Sequence, residues 1–331
     1  MFLPFLILPL FFVGIKKEKI DVYRLFNYLN YGVLTIILYG WIRFLFDILY
    51  LEERYDYGRT IALLSKYIPH HVYLSIFILI GIYATVKGFV SKSLKAYNLW
   101  FLPFLYVMIF VLGSRTAMVI AIFVLPLLIF NTLKGNFKIK NIITILSFSF
   151  LILMIIGFSN EFSRDKIIFT YYDLANIATK RKPFDGISDR KMIWKSTVDA
   201  IKDSPYIGYG LGDAQYALNT KYSTNGYYSV MGMNTHNQYL QFLLTYGFII
   251  TALLLIVIIS LVYKCVYNKD YFLTYLWLVL LTFCLTESIL NRHWGVLLFA
   301  YILNLSIYKL NEASMLKILS PKGMINSEQS R

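Results

Sequence analysis

Three side chains in this sequence are suited to chemistry on a charged leaving group: Arg115 in VLGSRTAMVIA, Arg190 in SDRKMIWKSTVDAIKDSP, and His236 in THNQYLQFLLTYG. A guanidinium presents its N–H donors in a fixed fork that matches phosphate oxygens. An imidazole titrates near neutrality and can take a proton from a hydroxyl. Arg115 stands where an apolar helix begins, so unpaired backbone N–H groups and the positive dipole end lie beside it, a combination that suits phosphate. Snorkelling to lipid headgroups explains the same arginine. Arg190 falls in the first turn of an amphipathic helix capped by Ser188 or Asp189 and stopped by Pro205; an arginine on a solvated face is the plainer reading. His236 is one of four histidines in the chain, and an isolated interfacial histidine is usually structural. The functional reading rests on all three facing one side of a membrane.

Other chemistries lack their residues. His70 and His71 are adjacent and cannot easily share a metal, and no HExxH or Cys/His spacing occurs. Cys265 follows one apolar run and Cys284 lies inside the next, so neither a disulfide framework nor a metal site is expected. A serine-hydrolase elbow is missing. In YIGYGLGD, the glycines Gly208, Gly210 and Gly212 lack the Lys-Ser/Thr ending of a phosphate loop and miss the dinucleotide spacing. They read as a tight turn near a ligand or a membrane surface. No cofactor and no metal are expected.

The elements that must position these residues are membrane helices. The 331 residues are 58% hydrophobic and 15% charged, well under the quarter that soluble domains carry. The net charge of +14 comes in short clusters between apolar runs, so it reads as topology and not as a nucleic-acid stripe. Apolar runs near spanning length lie at about 2–15, 26–50, 72–90, 98–113, 116–133, 141–158, 238–263, 271–290 and 294–310. The expected fold is therefore all-α and polytopic, with about nine transmembrane helices and one large extracytoplasmic loop containing short helices. The first run has no basic stretch before it and reads as a marginal helix, not a cleaved signal.

Basic residues concentrate in alternate short connections, among them Lys16, Lys17, Lys19 and Arg24, then Lys134, Lys138 and Lys140. That bias puts the N-terminus outside and the C-terminus in the cytoplasm. The expected organisation is membrane helices over 1–158, the outer loop over 159–235, three more spans over 236–310, and a cytoplasmic tail over 311–331. His236 then sits where the loop re-enters the membrane. The loop holds eight tyrosines, Tyr209 among them, suited to sugar rings or to anchoring at the interface. Arg43 and Asp47, four residues apart, could pair within a span. Glu287, a costly carboxylate near the outer end of the eighth run, is followed by Arg292 and His293 and reads as support for the site.

In this order and spacing, SRTA, DRKMIW, SPYIGYGLG and THNQYLQFLLTYG resemble the O-antigen ligase and O-antigen polymerase superfamily of bacterial membrane glycosyltransferases. The resemblance covers about 110–250. It implies a bundle of membrane helices, more than nine in most members, with one large periplasmic loop. It also implies glycan transfer from an undecaprenyl-pyrophosphate-linked oligosaccharide to an acceptor glycan, in the bacterial inner membrane and without nucleotide or metal. Arg115 and Arg190 match the arginines that hold the donor pyrophosphate, and His236 matches the histidine that acts on the acceptor. Asn237, Tyr209, Gly210 and Trp194 are the expected substrate-binding neighbours, although Asn237 also has a plain role in starting a helix. Membrane lipid, a flippase and a chain-length regulator are the expected partners. A polymerase joining repeat units is preferred over a ligase that moves glycan to lipid A core; the motifs do not separate the two. A transporter of lipid-linked sugars would show repeated halves and midplane charges, and no internal repeat stands out.

Overall fold

The computed structural model describes residues 21–51, 70–133 and 187–319, with Pro4 and Ile7 besides. Among these residues every regular element is helical and no strand occurs. The long helices are α1 (Val22–Leu51), α2 (His71–Val90), α3 (Leu102–Val111), α4 (Arg115–Leu133), α5 (Ile187–Asp203), α6 (Gly210–Thr224), α7 (Gln238–Tyr267), α8 (Tyr271–Cys284) and α9 (His293–Leu319). Four stretches are long and apolar enough to cross a membrane: Val22–Arg43, His71–Val90, Arg115–Leu133 and Gln238–Tyr267. Seven of the nine apolar runs coincide with described helices; the runs at 2–15 and 141–158 and the first part of the loop lie essentially outside the described residues. So does the side chain of Asp47, and with it the Arg43–Asp47 pair.

α2 is apolar on every face, the pattern of a helix surrounded by others, and 83% of its most apolar window is buried. It packs against α1, α3, α4 and α8. Hydrogen bonds between polar side chains pin α1 to this centre, where no water competes. Asn30 donates to Thr85 Oγ1 at 2.8 Å, and Asn27 Nδ2 donates to Asn98 Oδ1 at 2.8 Å. In α4 a π turn at Ile120–Val124 precedes Pro126, whose ring nitrogen has no hydrogen to give to the preceding turn.

α5 and α6 form a second, smaller unit around Ile193, Ala200, Ala214, Leu218, Tyr222 and Val230. α5 starts at Ile187, so Ser188 and Asp189, expected as its caps, fall inside its first turn. Leu244 of α7 completes this small core, and the reason is a break that the sequence did not reveal. The run 238–263 reads as one span, yet Gly247 adopts φ 68°, ψ −177° and divides α7 into Gln238–Tyr246 and Phe248–Tyr267.

The chain after α5 fills the break. Tyr209 N–H donates to the Leu244 carbonyl at 2.9 Å, and Phe248 N–H donates to the Pro205 carbonyl at 2.8 Å. Backbone groups that the interrupted helix cannot pair are thus satisfied by the loop, as non-helical backbone near a bilayer requires. Gly208 (φ 73°) and Gly247 meet here. A Cβ on Gly247 would stand 2.3 Å from the Tyr206 carbonyl, and one on Gly208 would stand 2.6 Å from the Gly247 nitrogen.

The break also redirects α7. A straight helix of this length would carry its first residue ~45 Å from Tyr267. Yet Asn237 Nδ2 donates to the Leu285 carbonyl at 3.0 Å, and Leu285 lies only ~20 Å along α8 from the turn that joins the two helices. The first half of α7 therefore leans across the end of the bundle instead of continuing out of it.

Candidate active site

The start of α7 is held by its own polar residues. Asn237 Oδ1 accepts the N–H groups of Tyr239 at 2.9 Å and Leu240 at 3.0 Å, a side-chain N-cap. Thr235 is buried, with its hydroxyl 3.0 Å from that of Ser288. Trp194 Nε1 donates to the Thr235 carbonyl at 3.1 Å, which ties α5 to the same strand of chain. Between these fixed points His236 adopts φ 44° and donates its N–H to Asn234 Oδ1 at 3.0 Å. A left-handed backbone at a residue other than glycine costs about 1–3 kcal/mol and persists only where the surroundings impose it.

That backbone turns the imidazole toward the chain that follows α8. Glu287 Oε2 lies 3.2 Å from His236 Nδ1, and Glu287 Oε1 lies 3.4 Å from Arg190 Nη2. The three side chains are 20%, 23% and 25% exposed for His236, Glu287 and Arg190, sheltered but reachable. A carboxylate oxygen accepts, so a neutral imidazole in this position would hold its proton on Nδ1 and present its lone pair at Nε2. Among the described residues nothing hydrogen-bonds to Nε2. Arg190 engages Glu287 through one terminal nitrogen, which leaves guanidinium donors for an anion.

The start of α4, which carries Arg115, meets the same turn through the next residue. Gly113 at φ 68° swings the chain round, and Ser114 Oγ accepts the Ala117 N–H at 3.4 Å to start α4 at Arg115. The next residue, Thr116, has its hydroxyl 2.7 Å from that of Thr286, the neighbour of Glu287. The helix starts that carry both arginines are thereby tied to the 286–287 turn, and Trp194 and Asn237 are tied to the chain on either side of His236.

Tyr209 and Gly210 are placed elsewhere, at the Gly247 break. The Tyr209 hydroxyl donates to the Ala200 carbonyl at 3.1 Å, and burial pushes its ionisation above the ordinary phenol range, with Asp203 adding to the effect. Gly210 begins α6 with open space where a Cβ would stand. Arg292 and His293 are exposed at the start of α9. The sequence marked Glu287 as a costly carboxylate supporting the site, but its two partners lie 51 and 97 residues away, and no local spacing reveals them. Thr116 and Thr235 fall inside the quoted motifs but are not singled out by them, and Thr286 and Ser288 carried no signal.

No curated protein matches the chain. A family model described as O-antigen ligase matches residues 100–256, a stretch that runs from α3 through the Gly247 break and holds Arg115, Arg190 and His236 but stops short of Glu287. Over that stretch, just under half of its length, the chain is similar to the O-antigen ligase family.

Proposed function

We propose that this protein is a polymerase that joins undecaprenyl-pyrophosphate-linked oligosaccharide units into an O-antigen or capsule-like polysaccharide at the outer face of the bacterial inner membrane. The observation that carries the proposal is the bridge from Arg190 through Glu287 to His236. It joins a phosphate-binding type of side chain to a proton acceptor. In this reading, Nε2 of His236 takes the proton from an acceptor hydroxyl as its oxygen bonds to the anomeric carbon. The bond from that carbon to the donor pyrophosphate breaks, its electrons go to the pyrophosphate oxygen, and attack from the opposite face inverts the centre. Arg190 and Arg115 stabilise the negative charge on the departing lipid pyrophosphate. Glu287 holds the imidazole and stabilises it once protonated. Asn237, Trp194, Tyr209 and Gly210 are the proposed substrate-side neighbours, the first two by shaping the chain at His236.

The description of the matched family favours a ligase that transfers finished glycan to lipid A core as the second reading. A surface-glycan gel of a deletion strain, complemented with the wild type or His236→Ala, separates the two. Collapse of the ladder to core plus one unit, restored only by the wild type, supports the polymerase. Loss of all core-linked glycan with accumulation of lipid-linked polymer supports the ligase. A ladder unchanged by deletion overturns both for that glycan.

A further inference from the structure

The turn between α5 and α6 presents apolar side chains to the outside, although it belongs to the smaller, more polar unit. Tyr206 is 67% exposed, Ile207 77% and Leu211 67%, and among the described residues no large apolar side chain is more exposed than Ile207. Soluble surfaces scatter such residues singly, whereas a group of them marks a surface that something apolar covers. The backbone fixes the height of this group. Phe248 and Ile249 donate their N–H groups to the carbonyls of Pro205 and Tyr206, at 2.8 and 3.5 Å. The turn is therefore level with the first residues of the second half of α7. Those residues, Phe248, Ile249 and Ile250, are 60%, 54% and 53% exposed, so apolar side chains are exposed on both segments at this level.

That half of α7 identifies the occupant. Phe248–Tyr267 has twenty residues, about 30 Å of helix and the thickness of a bilayer's hydrocarbon core. Its exposed stripe continues through Leu253, Ile256 and Ile259 at 60%, 59% and 63%. At its far end the exposed rings of Tyr263 and Tyr267 stack at 6.1 Å beside Lys264 and Lys269, the aromatic and basic girdle of one membrane surface. Tyr206 stands at the opposite end, a hydrocarbon thickness away.

We propose that Tyr206, Ile207 and Leu211 form a wedge that inserts among the acyl chains of the bilayer and seats the Arg190-bearing unit on the membrane. The anchoring matters for geometry, because α5 carries Arg190 at its other end and the Gly208–Gly247 contact is a second fixed point. The proposal rests on α7 being a membrane span and is independent of the glycan chemistry.

Site-directed spin labelling tests it in the full chain, reconstituted in nanodiscs of phosphatidylcholine and phosphatidylglycerol. Cys265 and Cys284, both free and buried, are replaced by alanine, and single labels are placed by Ile207→Cys and Leu211→Cys. A label at Leu253→Cys sets the lipid standard, and one at Lys202→Cys, whose side chain is 70% exposed, sets the water standard. Gel filtration confirms that each labelled protein is folded, and position 211 reports on the wedge if position 207 does not tolerate the label. The expected result is collision with oxygen in excess of a water-soluble nickel complex at 207 and 211, as at 253. Nickel accessibility matching position 202 overturns the proposal. Labels immobilised and shielded from both reagents would instead assign the surface to a second copy or another protein, which also overturns it.

Discussion

Glu287 Oε2 and His236 Nδ1 lie 3.2 Å apart across 51 residues of sequence, and this contact gives the histidine its orientation. Replacing Glu287 by Gln keeps the size but loses the charge, and it lets the amide face Nδ1 as a donor. Glu287→Gln is expected to reduce glycan transfer by about 10²–10⁴-fold, the range of a lost general base, with the protein still present in the membrane. Single-turnover transfer by purified protein with a lipid-linked donor measures it. Activity within a fewfold of the wild type would remove Glu287 from the mechanism.

Arg190 faces Glu287 with one nitrogen and keeps donors for a second anion. Lysine keeps the charge but not the planar fork. Arg190→Lys is therefore expected to lose most of the transfer rate while Arg190→Ala loses more, and the difference between them reports the value of charge alone. Equal, near-wild-type rates for both would assign Arg190 to a solvated surface role.

The glycines at the α7 break are expected to be unequal to their neighbours. Gly247→Ala must accommodate a left-handed φ, worth about 1–3 kcal/mol, and a Cβ placed 2.3 Å from the Tyr206 carbonyl carbon and oxygen. It should lower the melting temperature of the detergent-solubilised protein by several degrees. Gly212 lies inside α6 with nothing within 4 Å of a new Cβ, so Gly212→Ala should be neutral or stabilise by about 0.5–1 kcal/mol. Thermal unfolding of the two variants side by side checks the contrast.

Gly81 and Asn30 make a similar pair inside the bundle. A Cβ on Gly81 would stand 1.7 Å from Asn30 Oδ1, at a fully buried site. Gly81→Ala should destabilise by about 1–3 kcal/mol through overpacking. Adding Asn30→Ala should return part of that loss by making room, offset by the bond it removes from Thr85. A double-mutant cycle on the melting temperature measures the coupling.

The membrane character of the chain, the helices near 26–50, 72–90, 116–133 and 294–310, and the starts of α4 at Arg115 and α7 after Asn237 are all legible in the sequence. Each follows from a local property: a long apolar run, a capping residue, or a glycine before a helix start. The motifs that carry Arg115, Arg190 and His236 could be singled out for the same reason. Their pairing through Glu287 could not. The hydrogen bond from the Tyr209 hydroxyl to the Ala200 carbonyl is likewise not legible, because a ring near a glycine turn looks the same in sequence whichever way it points.

By itself, then, the sequence determined a helical membrane protein, the residue types able to bind a phosphate and accept a proton, and their order along the chain. Hydropathy and capping act over a few residues, so they are written locally. Only the tertiary structure decided that Glu287 stands between His236 and Arg190, that Thr116 meets Thr286, and that α7 breaks at Gly247 to receive the turn at Pro205–Gly208. Those relationships join residues from about 40 to 170 positions apart, and they arise from which faces pack together and which backbone groups are left needing a partner.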